Sequence, residues 1–114
     1  KENTLNGLNI EIEEGTFLAI IGSNGSGKST MCKLLNGIIP HFFVGDIEGN
    51  ILVDGIETLK SSVGEVSKIV GYVYQDFENS IVRPTVLDEV SFGVLNYGYD
   101  DYKERSIEAL EILD

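Results

Sequence analysis

The 114-residue chain carries 8 Lys and Arg against 19 Asp and Glu, a formal net charge of −11. This speaks against a nucleic-acid binder, which replaces phosphate counterions with a basic stripe. With 42% hydrophobic and 24% charged residues the chain has the make-up of a globular domain with one core, not of a disordered segment. Its apolar runs fall far short of the ~20 residues that span a bilayer, nothing resembles a signal peptide, and the single Cys32 permits no internal disulfide. A soluble, cytosolic chain is expected. The acid is unevenly placed: from Gly15 to Gly45 there is no Asp or Glu, and the formal charges are those of Lys28 and Lys33.

In chain order, Leu8 to Ile12 alternates like a strand, with Leu8, Ile10 and Ile12 on one face and Asn9 and Glu11 on the other. Phe17 to Ile21 (FLAII) is apolar on both faces, the pattern of a buried central strand in a parallel sheet. A glycine-rich loop follows, then a helix over Lys28 to Asn36, ended by Gly37 with Pro40 soon after. Glu48 to Val53 alternates and runs into Asp54-Gly55, a strong hairpin signal, with Ile56 to Leu59 as the return strand. Ile69 to Tyr74 (IVGYVY) reads as a second buried strand. Thr85 with Asp88 is expected to cap a helix through Leu95, and Asp101 with Glu104 another that carries Ile107, Leu110 and Leu113. This order gives an α/β core that passes into a helical lobe near Gln75. The chain opens at Lys1 without Met and stops at Asp114 inside an amphipathic pattern, which suggests an excerpt of a longer protein.

The chemistry lies in the loop. Gly22-Ser23-Asn24-Gly25-Ser26-Gly27-Lys28-Ser29-Thr30 fits G-x-x-x-x-G-K-[ST], directly after an apolar strand and directly before a helix. Gly25 and Gly27 free the backbone to curl so that successive N–H groups point inward, and the helix start adds partial positive charge. Such a loop cradles anionic oxygens: Lys28 is expected at the β- and γ-phosphates, Ser29 at Mg²⁺ and Thr30 at the α-phosphate. The absence of carboxylates around it agrees, since they would repel a triphosphate.

Several classes share that loop. A GTPase needs D-x-x-G and N-K-x-D; Asp54 is followed by Gly55-Ile56-Glu57, and no N-K-x-D exists. A small-molecule kinase remains the alternative, with Asp54 or Asp76 as the acid that holds Mg²⁺. Asp54 is better explained as a hairpin turn, and Asp76 is separated from its strand by the polar Gln75.

GSNGSGKST, the NILVDG hairpin, VGYVYQD and TVLDEVSFG, in this order and spacing, resemble the ATP-binding subunit of ABC transporters. The likeness is greatest to the energy-coupling-factor importers of vitamins and metals, the cobalt and thiamine-precursor branch. It covers roughly the first half of such a subunit. The resemblance implies a P-loop nucleotide-binding core with an N-terminal antiparallel β portion over residues 1–75, and over 76–114 the Q-loop and the beginning of a helical subdomain. It makes Gln75 the Q-loop glutamine, which joins Lys28 in catalysis and Ser29 at Mg²⁺ and links the site to the membrane subunit. Asp76 to Arg83 (DFENSIVR) would border the groove for a helix of that subunit, although Phe77 stands where proline is common and Ser80 where a second glutamine is common. ATP and Mg²⁺ are the implied ligands. A transmembrane coupling subunit and a second ATP-binding domain are the implied partners, and the cytoplasmic face of the membrane is the implied location. The strand-end Asp-Glu pair, the L-S-G-G-Q signature and the switch histidine of the family are not in residues 1 to 114, so the chain alone is expected not to turn ATP over. The adenine-stacking aromatic of relatives would fall before Lys1, which leaves Leu5 or its neighbours to touch the base.

Other residues take structural readings. His41, the one histidine, is expected at the surface, Met31 and Cys32 in helix packing, Phe42 and Phe43 in loop packing, and the acids of Asp100 to Glu111 on a solvated helix face.

Overall fold

A computed structural model describes residues 4–114. Two compact units are present, one extending to Tyr72 and the other over Val73–Asp114.

The first unit is built around α1 (Lys28–Leu35). Its end follows the expected chemistry: Asn36 closes the helix, and Gly37 turns the chain with φ +76°, a left-handed conformation that favours glycine. The chain does not break there. A short helical segment, α2 (Ile38–His41), follows with non-helical backbone at Ile39. The hairpin forms as β1 (Leu52–Val53) and β2 (Ile56–Glu57), antiparallel, with Leu52 opposite Glu57 and Val53 opposite Ile56. Asp54 and Gly55 take φ +48° and +76°, both positive as a two-residue hairpin of type I′ requires. The paired stretch is shorter than its sequence pattern, extended on one side by the Thr58 N–H bond to the Ile51 carbonyl at 3.0 Å.

A further helix, α3 (Val63–Val66), completes this unit. Ser62 and Glu65 close a reciprocal capping box: the Ser62 hydroxyl accepts from the Glu65 N–H at 3.3 Å, and the Glu65 carboxylate accepts from the Ser62 N–H at 2.9 Å. Val66 and Thr58 are fully buried. Thr58 donates its hydroxyl to the Leu34 carbonyl at 3.0 Å, which satisfies one of the last carbonyls of α1. A methyl at Gly37 would lie 3.4 Å from Val66 Cγ2. The end of α1, the hairpin exit and α3 therefore form one small packed cluster, with Met31 buried on α1.

The long strands expected from the sequence do not form. Leu8 to Ile12, Phe17 to Ile21 and Ile69 to Tyr74 are not paired into a sheet, and among the described residues the one sheet is the two-stranded hairpin. Phe17 is 98% exposed, Ile21 93% and Val73 82%, the reverse of a buried strand. The physical reason is pairing. An apolar strand is buried by neighbours hydrogen-bonded on both edges and by helices on both faces, and the described residues place no partner strand beside these segments.

In the second unit, Phe77–Ser80 forms one turn of 3₁₀ helix, followed by α4 (Val86–Asn96) and α5 (Tyr102–Leu113). Thr85 caps α4, its hydroxyl accepting from the Asp88 N–H at 3.2 Å. The capping box expected of Asp101 and Glu104 is not made. Asp101 precedes α5 without a side-chain cap, because its carboxylate is held by Arg105 at 2.8 Å. The two helices meet at small buried side chains: Ser91 donates to Ser106 Oγ at 3.0 Å, and Ser106 donates to the Tyr102 carbonyl at 2.6 Å. Asp100, Glu104, Glu108 and Glu111 are exposed, the solvated face that the acidic run predicted.

Candidate functional site

The loop from Gly22 to Gly27 enters α1 by a change of backbone hand. Gly25 and Gly27 have φ of +82° and +94°, a region that costs an L side chain roughly 1–2 kcal/mol. Between them the chain curls so tightly that the Ser26 N–H donates to the Ser23 carbonyl at 3.2 Å. Gly27 is buried and starts the helix, its carbonyl accepting from the Met31 N–H at 2.9 Å. It offers no side chain as a cap, and the first turn of α1 holds no acidic residue. The opening N–H groups of a helix have no acceptor within it, and the aligned peptide dipoles concentrate positive potential at that end. The result is a helix start whose donors suit an anion.

Lys28 reinforces it. Its ammonium donates to the Gly22 carbonyl at 2.8 Å, the Ser23 carbonyl at 2.7 Å and Ser26 Oγ at 3.3 Å, one acceptor for each of its three donors. The cation is thereby brought back across the loop rather than left to extend from α1. A Cβ at Gly22 would lie 2.6 Å from Ser26 Oγ, so a side chain there would oblige Ser26 to turn away. Ser23, Asn24 and Ser26 are exposed around the loop, Ser29 is exposed, and Thr30 is half-buried on the first turn of α1. All nine residues of Gly22 to Thr30 thus fall on one continuous turn and helix start.

One neighbour is invisible in the motif. A Cβ at Gly27 would lie 2.7 Å from Leu5 Cδ2 and 3.1 Å from the Thr4 carbonyl, so the segment before the first apolar run passes in contact with the loop. Spacing carries no signal for this, because the contact joins residues more than twenty positions apart. Gln75 lies in the second unit, exposed, and is separated from the 3₁₀ turn by Asp76. Among the described residues no group of three His, Cys, Asp or Glu side chains is arranged to hold a metal ion. His41 is exposed and its Nε2 lies 2.8 Å from the Ser61 carbonyl, a structural tie between α2 and the start of α3. Phe42 and Phe43 do not pack away as expected. Both are exposed, with the Lys33 ammonium 4.8 Å above the Phe43 ring. No described helix is long and apolar enough to cross a membrane.

Residues 5–114 match the family model described as ABC transporter. The chain is 47% identical over 100 residues to a protein of Pyrococcus horikoshii provisionally named an ABC transporter ATP-binding protein, an alignment that covers 88% of this chain and 35% of that relative. A Methanosarcina acetivorans protein of the same provisional name is 48% identical over 99 residues, covering 87% and 15%. A third, from Caldanaerobacter subterraneus subsp. tengcongensis, is 41% identical over 96 residues, covering 84% and 17%. The chain thus spans about a third of the length of the first of these relatives, and less of the others. No solved structure matches it.

Proposed function

Because the chain belongs to the ABC transporter family, whose ATP-binding domains have the P-loop fold, we propose that it is the nucleotide-binding part of a subunit that binds and hydrolyses Mg-ATP to power import. One observation carries this reading most directly. The Lys28 ammonium is folded onto the Gly22 and Ser23 carbonyls, at the mouth of an uncapped helix start with no acid in its first turn. The residues fit a triphosphate. Gly22, Gly25 and Gly27 place no Cβ at three positions of the loop, Ser23, Asn24 and Ser26 border it, and Lys28 supplies a compact cation for the β- and γ-phosphates. Ser29 would hold Mg²⁺ through its hydroxyl, with Gln75 as its second protein contact and Thr30 at the α-phosphate. When bound, Mg²⁺ supplies charge neutralisation on the phosphate oxygens. Leu5, which lies against Gly27, or its neighbours would touch the base.

In this reading residues 1–75 form part of the nucleotide-binding core, and residues 76–114 carry the Q-loop and begin the helical subdomain. The parent pairs with a second ATP-binding domain and with a membrane subunit, at the cytoplasmic face. The resemblance of GSNGSGKST, NILVDG, VGYVYQD and TVLDEVSFG to the cobalt and thiamine-precursor branch favours an energy-coupling-factor importer of a vitamin or metal ion. The kinase alternative finds no support in the relatives, which are named as ABC transporter ATP-binding proteins.

The test is ATP hydrolysis and substrate uptake by the full-length protein with its membrane subunit, wild type against Lys28→Ala. Loss of both in the variant is expected, with free phosphate as the product of the wild type. Undiminished uptake by Lys28→Ala, or transfer of phosphate to a small molecule, would overturn the proposal.

A further inference from the structure

Glu89 makes an unusual pair of contacts that the nucleotide site does not use. It lies one turn into α4, half-buried, and its Oε2 accepts from two backbone donors, the Val82 N–H at 2.9 Å and the Arg83 N–H at 2.7 Å. Hydrogen bonds to an ionised carboxylate are short and about twice as strong as neutral ones. They are not needed to start α4, because Thr85 already caps it. What they hold is the preceding segment. A second tie reinforces them: the Arg83 guanidinium lies 4.6 Å over the ring of Phe92, three residues beyond Glu89 and on the same face of the helix. Upstream, the 3₁₀ turn is closed by the Asn79 amide on the Asp76 carboxylate, by Ser80 Oγ on the Phe77 carbonyl at 2.6 Å and by the Ile81 N–H on the Glu78 carbonyl at 3.3 Å. The stretch from Asp76 to Arg83 is therefore a small ordered body, fastened to α4 at its C-terminal end by Glu89 and Arg83. On it Phe77, Ile81 and Val82 remain exposed.

We propose that Glu89 is a positioning residue for coupling. Acting through the Val82 and Arg83 amides, it holds the segment that follows Gln75 in the orientation in which the membrane partner engages it. This rests on the reading of Gln75 to Arg83 as the link between the nucleotide site and that partner. Removing the acceptor oxygen of Glu89 frees the segment while leaving the nucleotide loop and the cap of α4 in place.

The experiment uses the full-length ATPase, alone and reconstituted with its membrane subunit, in wild type, Glu89→Ala, Glu89→Gln and Gln75→Ala forms. For Glu89→Ala we expect hydrolysis by the isolated ATPase within about twofold of wild type, and partner-stimulated hydrolysis and uptake lowered roughly tenfold or more, a decade being about the net worth of a single hydrogen bond. Exchange of the Val82 and Arg83 amides should quicken by a similar factor. Glu89→Gln keeps an acceptor oxygen and should recover most of the coupling, a rescue that a purely structural loss would not give. It also decides the matter if Glu89→Ala does not fold: uncoupled Glu89→Gln with protected amides would count against the inference. Normal coupling in Glu89→Ala, with Gln75→Ala uncoupled, overturns the role of Glu89 and leaves the link intact. Normal coupling in Gln75→Ala overturns the link itself.

Discussion

At the scale of single residues, the loop glycines are not equivalent. Gly25 has φ +82° with nothing near its missing Cβ, whereas Gly27 has φ +94° and is closed in by Leu5 Cδ2 and the Thr4 carbonyl. A Gly25→Ala change therefore meets only the left-handed backbone cost of roughly 1–2 kcal/mol. Gly27→Ala meets that cost and must also displace a backbone carbonyl, an overpacking of about 1 kcal/mol or more in addition. Thermal or denaturant unfolding of the two variants should rank Gly27→Ala as the more destabilised. Equal losses would show that the Thr4-Leu5 segment does not bear on the loop. The glycine positions were legible in the motif; the reason Gly27 in particular must lack a side chain was not, because it lies in a contact with residues far away in the chain.

At the scale of elements, what reads correctly from the sequence is whatever local chemistry decides. The Asp54-Gly55 turn, the stop at Gly37 and the Thr85 cap each depend on a few adjacent residues, and each forms. The Ser62 to Glu65 capping box is equally local: S-x-x-E stands in the sequence, and the box forms. The apolar strands at Phe17 to Ile21 and Ile69 to Tyr74 are another matter, because a strand is satisfied only by its neighbours, and no strand lies beside them among the described residues. Asp101 shows competition: a local cap was available, but Arg105 four residues on holds the carboxylate instead. These local bonds give a pH dependence. The Ser62 N–H, and after it the Ser62 hydroxyl, hold the Glu65 carboxyl below its ordinary value of 4.5, and Arg105 holds Asp101 below 3.8. A carboxyl lowered by folding stabilises the fold above its ordinary pKa, and that contribution is lost as pH falls through the folded value. Both groups are exposed, so the effect is small. An acid titration of the unfolding midpoint should decline below about pH 4.5, and Glu65→Gln should flatten the upper part of that decline. An unchanged acid limb in Glu65→Gln would show that the box contributes nothing to stability.

At the scale of the whole molecule, the charge distribution and the exposed apolar surface tell complementary things. A chain of net charge −11 keeps its longest acid-free interval around the turn that holds Lys28 and the start of α1, so the region proposed to hold a polyphosphate is spared local repulsion from carboxylates. Phe17 and Ile21, by contrast, stand almost fully in solvent. The nucleotide loop was legible because its donors, its cation and its glycines all lie within Gly22 to Thr30. The contact of Leu5 with Gly27 and the bonds of Glu89 to the Val82 and Arg83 amides were not, because they arise only when distant or non-periodic segments are brought into contact. The most direct test of the nucleotide site is the unfolding midpoint of the full-length protein with and without Mg-ATP, in wild type and in Lys28→Ala. Ligand at a hundred times its Kd stabilises the native state by about 2.7 kcal/mol, so the wild type should show a clear rise and Lys28→Ala none at the same concentration. No rise in the wild type, or an equal rise in the variant, would contradict the account.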